Sequence, residues 1–166
     1  MSRKILPLFF CILFSRLFSQ TIEPDLEYYN SGQLKWKGQK QCIVVKEDKE
    51  CKPTGFWVHY YKSGEKKLET FDIVYKNNTV APTRYINMWQ QDGYQILKNG
   101  VGFYFEKENR GSGEFDSLTY QVKDSVWNGS FSRYRKHKGS NYYLVEIGQF
   151  SDANRYGSFK FRDTVQ

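Results

Sequence analysis

The sequence predicts an all-β protein of antiparallel hairpin repeats, and three observations predict it. Helix signals are scarce: alanine occurs only at Ala81 and Ala153, leucine thins out after residue 20, and no window carries a sustained 3.6-residue apolar period. Strand-forming residues are abundant, with 13 Tyr, 13 Phe and 4 Trp punctuated by Gly, Asn, Asp and Ser. The glycines keep register with aromatics. Six of the thirteen open a Gly-x-aromatic triplet: Gly55 with Trp57, Gly102 with Tyr104, Gly113 with Phe115, Gly129 with Phe131, Gly148 with Phe150 and Gly157 with Phe159.

Residues 1–20 read as a secretory signal peptide. Arg3 and Lys4 supply a basic start, and Ile5 to Phe14 form an apolar run of ten residues, too short for the roughly 20 that cross a bilayer. Polar residues follow, and cleavage is expected after Ser19 or Gln20. Cys11 lies inside the apolar run, which argues against a lipid anchor. The expected destination is the periplasm or the exterior. Without Arg3, Lys4 and Arg16 the net charge falls from +7 to +4, so part of the basicity belongs to the leader. Residues 21–166 are expected to form a single domain, long enough to bury a core.

A second glycine frame marks turns. Gly32 follows Tyr28-Tyr29-Asn30-Ser31, Gly64 follows Tyr60-Tyr61-Lys62-Ser63, and Gly93 follows Trp89-Gln90-Gln91-Asp92. A tight turn between antiparallel strands needs a residue at positive φ, which glycine adopts without steric cost. An aromatic stands four residues before each glycine (Tyr28, Tyr60, Trp89) and a large apolar residue four after it (Trp36, Leu68, Leu97). These pairs are expected to face each other across their hairpins.

Cys42 and Cys51 are an even pair in a chain marked for an oxidising compartment, and a disulfide between them is expected. Strands are expected from Cys42 to Val45 and again from Gly55. The charged stretch Lys46 to Glu50 would form an exposed turn, and Lys52-Pro53-Thr54 would break the sheet.

The stretches YYNSGQLKWKG (Tyr28 to Gly38) and GFWVHYYKSGEKKLE (Gly55 to Glu69) resemble MORN-repeat variants, in the bacterial group catalogued as toxin–antitoxin antitoxin components. Gly55, Trp57, Tyr60, Tyr61 and Gly64 fill one repeat unit, and Tyr28, Tyr29, Gly32 and Gly38 the later half of another. Trp89, Gly93, Asn99, Gly100 and Gly102 fill a third. The repeats are clearest over residues 26–105. Over 106–166 only the rhythm of Gly129, Phe131, Gly148, Phe150, Gly157 and Phe159 persists. The resemblance implies an elongated, twisted sheet and an antitoxin-like, protein-binding role.

No catalytic constellation is evident. Of two histidines, His59 reads as a packed strand residue and His137, among Arg and Lys, as an exposed one. No metal or cofactor is expected. Glu114 and Asp116 read as an ordinary solvated face, and Arg133-Arg135-Lys136-Lys138 as a solvated loop. The expected function is a non-enzymatic module that binds an unknown protein partner through Tyr and Trp. The alternative is an envelope protein that binds cell wall, polysaccharide or lipid headgroups through aromatics and that basic cluster. Nucleic acid is not an expected partner.

Overall fold

In a computed structural model the described residues are 20–45, 48–75, 78–111 and 113–161. The expected signal peptide, apart from Gln20, lies outside them, as does Cys11. Eleven strands follow one another: β1 (Gln20–Tyr28), β2 (Leu34–Val45), β3 (Asp48–Tyr60), β4 (Lys66–Asp72), β5 (Arg84–Trp89), β6 (Gln95–Lys98), β7 (Val101–Gly111), β8 (Glu114–Lys123), β9 (Val126–Lys136), β10 (Tyr143–Ser151) and β11 (Asn154–Phe161). They form one open antiparallel sheet whose strand order is the chain order, and no helix occurs among the described residues. The all-β hairpin fold read from the sequence is thus what the chain adopts.

Two turn chemistries make six of the ten connections between strands. The loops at Asn30-Ser31-Gly32, Lys62-Ser63-Gly64 and Gln91-Asp92-Gly93 share one hydrogen-bond pattern. In the first, Gly32 N–H donates to Tyr29 O at 2.9 Å and Tyr29 N–H to Gln33 O at 2.8 Å. The three glycines have φ of 86°, 102° and 85°. The opposite ends of the strands turn on two residues, both at positive φ: Asn99-Gly100, Asp124-Ser125 and Asp152-Ala153. This is the geometry that matches the twist of a hairpin.

Each three-residue loop is followed by a β-bulge, and this corrects the expected cross-strand pairs. Glu27 faces Trp36 and Tyr28 faces Leu34, so Lys35 is the extra residue. His59 faces Leu68 and Tyr60 faces Lys66, with Lys67 extra. Met88 faces Leu97 and Trp89 faces Gln95, with Ile96 extra. The aromatics at Tyr28, Tyr60 and Trp89 therefore miss Trp36, Leu68 and Leu97 by one position. The second tyrosine of each pair does different work. Tyr29 Oη donates to the carbonyl of Tyr60 and Tyr61 Oη to the carbonyl of Trp89, both at 2.8 Å, so each hairpin is latched to the next. The third hairpin has Gln90 in that place.

Cys42 and Cys51 are directly opposite on β2 and β3 and form the expected disulfide, with Cα atoms 4.0 Å apart. The expected sheet break does not occur: β3 runs unbroken from Asp48 through Lys52-Pro53-Thr54 to Tyr60. The reason is that β4 pairs β3 only from Gly55 onward. The Asp48–Thr54 half has one neighbour, and proline is tolerated on such an edge. Asp48, Lys49 and Glu50 are exposed as expected, but lie within the strand.

The two core clusters occupy one face of the sheet. Leu68, Met88, Leu97, Gly102 and Val122 stand opposite one another across β4 to β8. Buried Leu68, Met88, Leu97 and Val122 form one cluster, and Leu118, Tyr120, Phe131 and Phe150 a second; Tyr104 and Trp127 touch both. Aromatics fill the space that aliphatics fill elsewhere: Trp127 stacks on Tyr120 at 4.2 Å between ring centroids and on Tyr85 at 5.7 Å. Trp57 is buried separately, over Gly38. A Cβ at Gly38 would lie 2.5 Å from Cε2 and Cε3 of the indole, so only glycine lets the ring seat there.

Asp116, Arg133 and Arg135 are not a solvated surface, whereas Lys138 is exposed in the turn after β9 as expected. Asp116 is 0% exposed, on the same strand face as Leu118 and Tyr120. Its carboxylate accepts from Arg135 Nε at 2.8 Å and Arg110 Nε at 2.7 Å. Buried Glu146 pairs with Arg133 at 3.4 Å and Arg155 at 3.2 Å. Strand alternation splits the basic cluster: Arg133 and Arg135 turn toward the buried carboxylates, whereas Lys136 lies on the opposite face. Glu114 pairs with His137 Nδ1 at 2.7 Å. His137 Nε2 also meets the Tyr143 hydroxyl at 2.7 Å, with the two rings stacked, so this histidine is held rather than free among cations.

Candidate functional site

A mismatch of strand lengths creates the principal recess. β6 has four residues and β7 eleven. β6 pairs β7 only through Lys98–Val101 and Leu97–Gly102, because the chain has already turned at Gln90–Tyr94. From Phe103 to Gly111, β7 is bonded to β8 on one side, and no described strand pairs its other side.

A cleft of about 660 Å³ lies along this open edge. Leu68 and Met88 form its floor. Tyr104 to Lys107 form one wall, and Tyr61 and Gln90 from the latched hairpin turns the other. A smaller recess of about 290 Å³ adjoins it, lined by Tyr94, Ile96, Phe103, Phe105 and Thr119. Gln90 and Phe105 line both hollows. Since Phe105 faces Thr119 and Tyr104 faces Tyr120, the recesses flank the edge of β7 on opposite faces of the sheet.

The electrostatics of the cleft favour neutral groups on its wall. Burial lowers the His59 pKa, and the neighbouring Lys67 lowers it further, so His59 is neutral near pH 7. Burial raises the Tyr104 phenol, assisted by Glu106, and also raises Tyr61. Both phenols therefore keep their protons. Charge enters at the rim, from Lys67, Glu106 and Lys107. The arrangement offers apolar contact, phenolic hydrogen bonding and a charged margin, the chemistry of a binding recess.

A third hollow, of about 580 Å³, lies beyond Lys107, which also lines it. It is completed by Phe115, Lys136, His137, Lys138 and Tyr142. Lys136 Nζ stands 5.4 Å from the Tyr142 ring centroid. Phe115 and Tyr142 are exposed.

The residues that define the repeats in the sequence fall into three structural roles. Gly32, Gly64, Gly93 and Gly100 are in turns, and Tyr28, Tyr60 and Trp89 end the strands that enter them. Gly55, Gly102, Gly129 and Gly148 lie within strands, and Trp57, Phe131 and Phe150 are buried. Gly157 and Phe159 lie in β11, and their side chains are outside the described set. None of these residues lines the principal cleft, whereas Tyr61, which also fills a repeat position, does. Reading the sequence missed Tyr61, Leu68, Met88 and Tyr104 to Lys107 as a site. The available signal was the unequal spacing of turns, which shortens β6 beside a long β7. Among the described residues, no group of three His, Cys, Asp or Glu is placed to hold a metal ion.

No family model matches the chain, and no curated protein and no solved structure is similar to it.

Proposed function

We propose that this chain is an exported, non-enzymatic interaction module that receives a protein partner in the cleft beside β7. The observation that carries this reading is the cleft itself: an apolar floor of Leu68 and Met88, phenolic walls, and a strand edge left open over nine residues, Phe103 to Gly111. Aromatic and apolar groups around a concave centre with a polar rim are the composition of a protein-binding hot spot. The Cys42–Cys51 disulfide supports an oxidising destination. The antitoxin-like role implied by the MORN resemblance is one form this binding would take.

A photocrosslinking side chain at Gln91, on the cleft wall, tests the reading in envelope and culture fractions of the producing cell. A protein adduct at Gln91 that is absent with the crosslinker at Thr21 is expected. Adducts equal at both positions, or none at Gln91, would overturn it.

A second reading has its own observation, the basic and aromatic hollow of Lys107, Lys136, Lys138, Phe115 and Tyr142. It suits an anionic envelope surface. Co-sedimentation with cell wall and anionic liposomes that disappears on Lys136→Ala/Lys138→Ala would support it; absence of binding at low salt removes it.

A further inference from the structure

The backbone of β7 shows what kind of partner segment the cleft fits. Phe105 N–H points away from β8 and meets Met88 Sδ at 3.4 Å, a weak acceptor. Along a β-strand the N–H and C=O groups of alternate residues share a side. Lys107 and Asn109 therefore aim their N–H and C=O across the same open edge as Phe105. The other alternate set, Tyr104, Glu106 and Glu108, faces Tyr120, Leu118 and Asp116 on β8. Two residues of β7 thus present complete ladder positions beside a recess. Hollows lie on both faces of the edge, and side chains of an added strand alternate between two faces.

We propose that the cleft binds its partner by strand addition: an extended acidic segment of another protein pairs with Lys107 and Asn109 of β7. The proposal rests on reading the cleft as a protein site. Alternate side chains of the incoming segment enter the hollow over Leu68, Met88 and Tyr104 and are apolar. The intervening ones lie on the Phe103–Phe105 face and are acidic. Charge complementarity selects the acid. Lys107 shares the face of Phe103 and Phe105 and continues into the hollow that holds Lys136 and Lys138, while the cleft rim carries Lys67 against Glu106. His137 there is already engaged by Glu114. The edge sequence Glu106-Lys107-Glu108-Asn109-Arg110 is charged enough to discourage pairing between copies, as exposed edges in natural sheets are. Main-chain bonds then supply affinity, and the alternating hollows supply selectivity.

The test uses the full mature chain and a nine-residue probe peptide alternating Val and Glu, followed by amide chemical-shift titration. Three comparisons decide it. N-methylation of the probe amides that face β7 is expected to weaken binding about tenfold or more, since each lost main-chain bond contributes roughly 0.5–1.5 kcal/mol. Replacing each Glu of the probe with Lys is expected to weaken it comparably. Lys107→Pro removes a donor that β8 does not use, so folding is expected to survive while binding is lost; Lys107→Ala, which removes the charge but keeps the main-chain donor, is expected to weaken binding clearly less than Lys107→Pro. Slowed hydrogen exchange at Lys107 and Asn109, with the probe bound, is the direct signature. Binding that ignores N-methylation and Lys107→Pro would overturn strand addition and leave the protein-binding reading intact. No binding at millimolar probe, or a dimer of the chain abolished by Lys107→Pro, would also overturn it. Failure of the Gln91 crosslink would instead remove the protein-binding reading.

Discussion

Replacing Gly38 by alanine tests why a glycine must lie beneath Trp57. The added methyl would overlap the indole, with Cε2 and Cε3 at 2.5 Å and Cδ2 closer still. The ring has little room to withdraw: Trp57 is 6% exposed, and its Nε1 donates to Thr54 O at 3.1 Å. β3 bulges here, because Lys37 faces Val58 and Gln39 faces Thr54, so three residues of β3 span one of β2. If the strands give way, the cost is that of overpacking, about 1–3 kcal/mol. If the indole is expelled, it approaches the roughly 3–5 kcal/mol of losing a buried Trp. A loss of about 2–4 kcal/mol is expected, which lowers Tm by about 5–15 °C at this chain length. Thermal unfolding followed by circular dichroism gives the number. Trp57→Ala supplies the control: with the indole gone, Gly38→Ala is expected to cost under about 1 kcal/mol, a strong coupling in a double-mutant cycle. A Tm for Gly38→Ala within about 2 °C of the parent, or strictly additive losses, would refute the steric account.

Four further outcomes follow from the geometry. Tyr29→Phe and Tyr61→Phe each remove one latch between hairpins and are expected to cost about 0.5–1.5 kcal/mol by urea denaturation, additively. Ala153 holds φ of 65° without glycine's freedom, so Ala153→Gly is expected to stabilise by about 0.5–1 kcal/mol in the same assay. Burial alone would raise the Asp116 pKa, but the guanidiniums of Arg135 and Arg110 outweigh it and hold the group below its ordinary value. Its contribution is therefore present above that ordinary value and is lost as pH falls through the folded-state value. Stability is expected to drop below about pH 4, and Asp116→Asn, weaker by about 2–4 kcal/mol at pH 7, is expected to drop less steeply. Reducing the Cys42–Cys51 bond is expected to cost about 2–3 kcal/mol, and alkylation without reductant is expected to label neither cysteine.

The legible parts of this fold were those governed by one residue's local physics. Gly32, Gly64 and Gly93 mark turns because positive φ is costly for other residues, and the abundance of aromatics marks strands. Register was not local. The bulges at Lys35, Lys67 and Ile96 displace each expected pair by one position, and nothing in those side chains announces an extra residue. The turns at Asp124-Ser125 and Asp152-Ala153 lack glycine at both positions, so only the Asp, which tolerates the left-handed region, marked them. Pro53 misled because its tolerance depends on where β4 stops pairing β3. Asp116 looked solvated because its counter-ions arrive from Arg110 on β7 and Arg135 on β9. The cleft was least visible of all, since it is made by the difference in length between β6 and β7.

The strand order of the sheet carries a consequence for how the chain assembles. Because the ladder of each strand is formed with the strands before and after it in the chain, no strand pairing must wait for a distant segment. Each ladder closes across a single connection, the longest running over residues 73–83, so the entropy lost in forming it is modest and the ladder can extend by zippering from any completed hairpin. The same linearity makes the hairpin a unit of evolutionary change. Adding or deleting two adjacent strands leaves every remaining neighbour relation intact, whereas in a sheet with crossovers it would require re-threading.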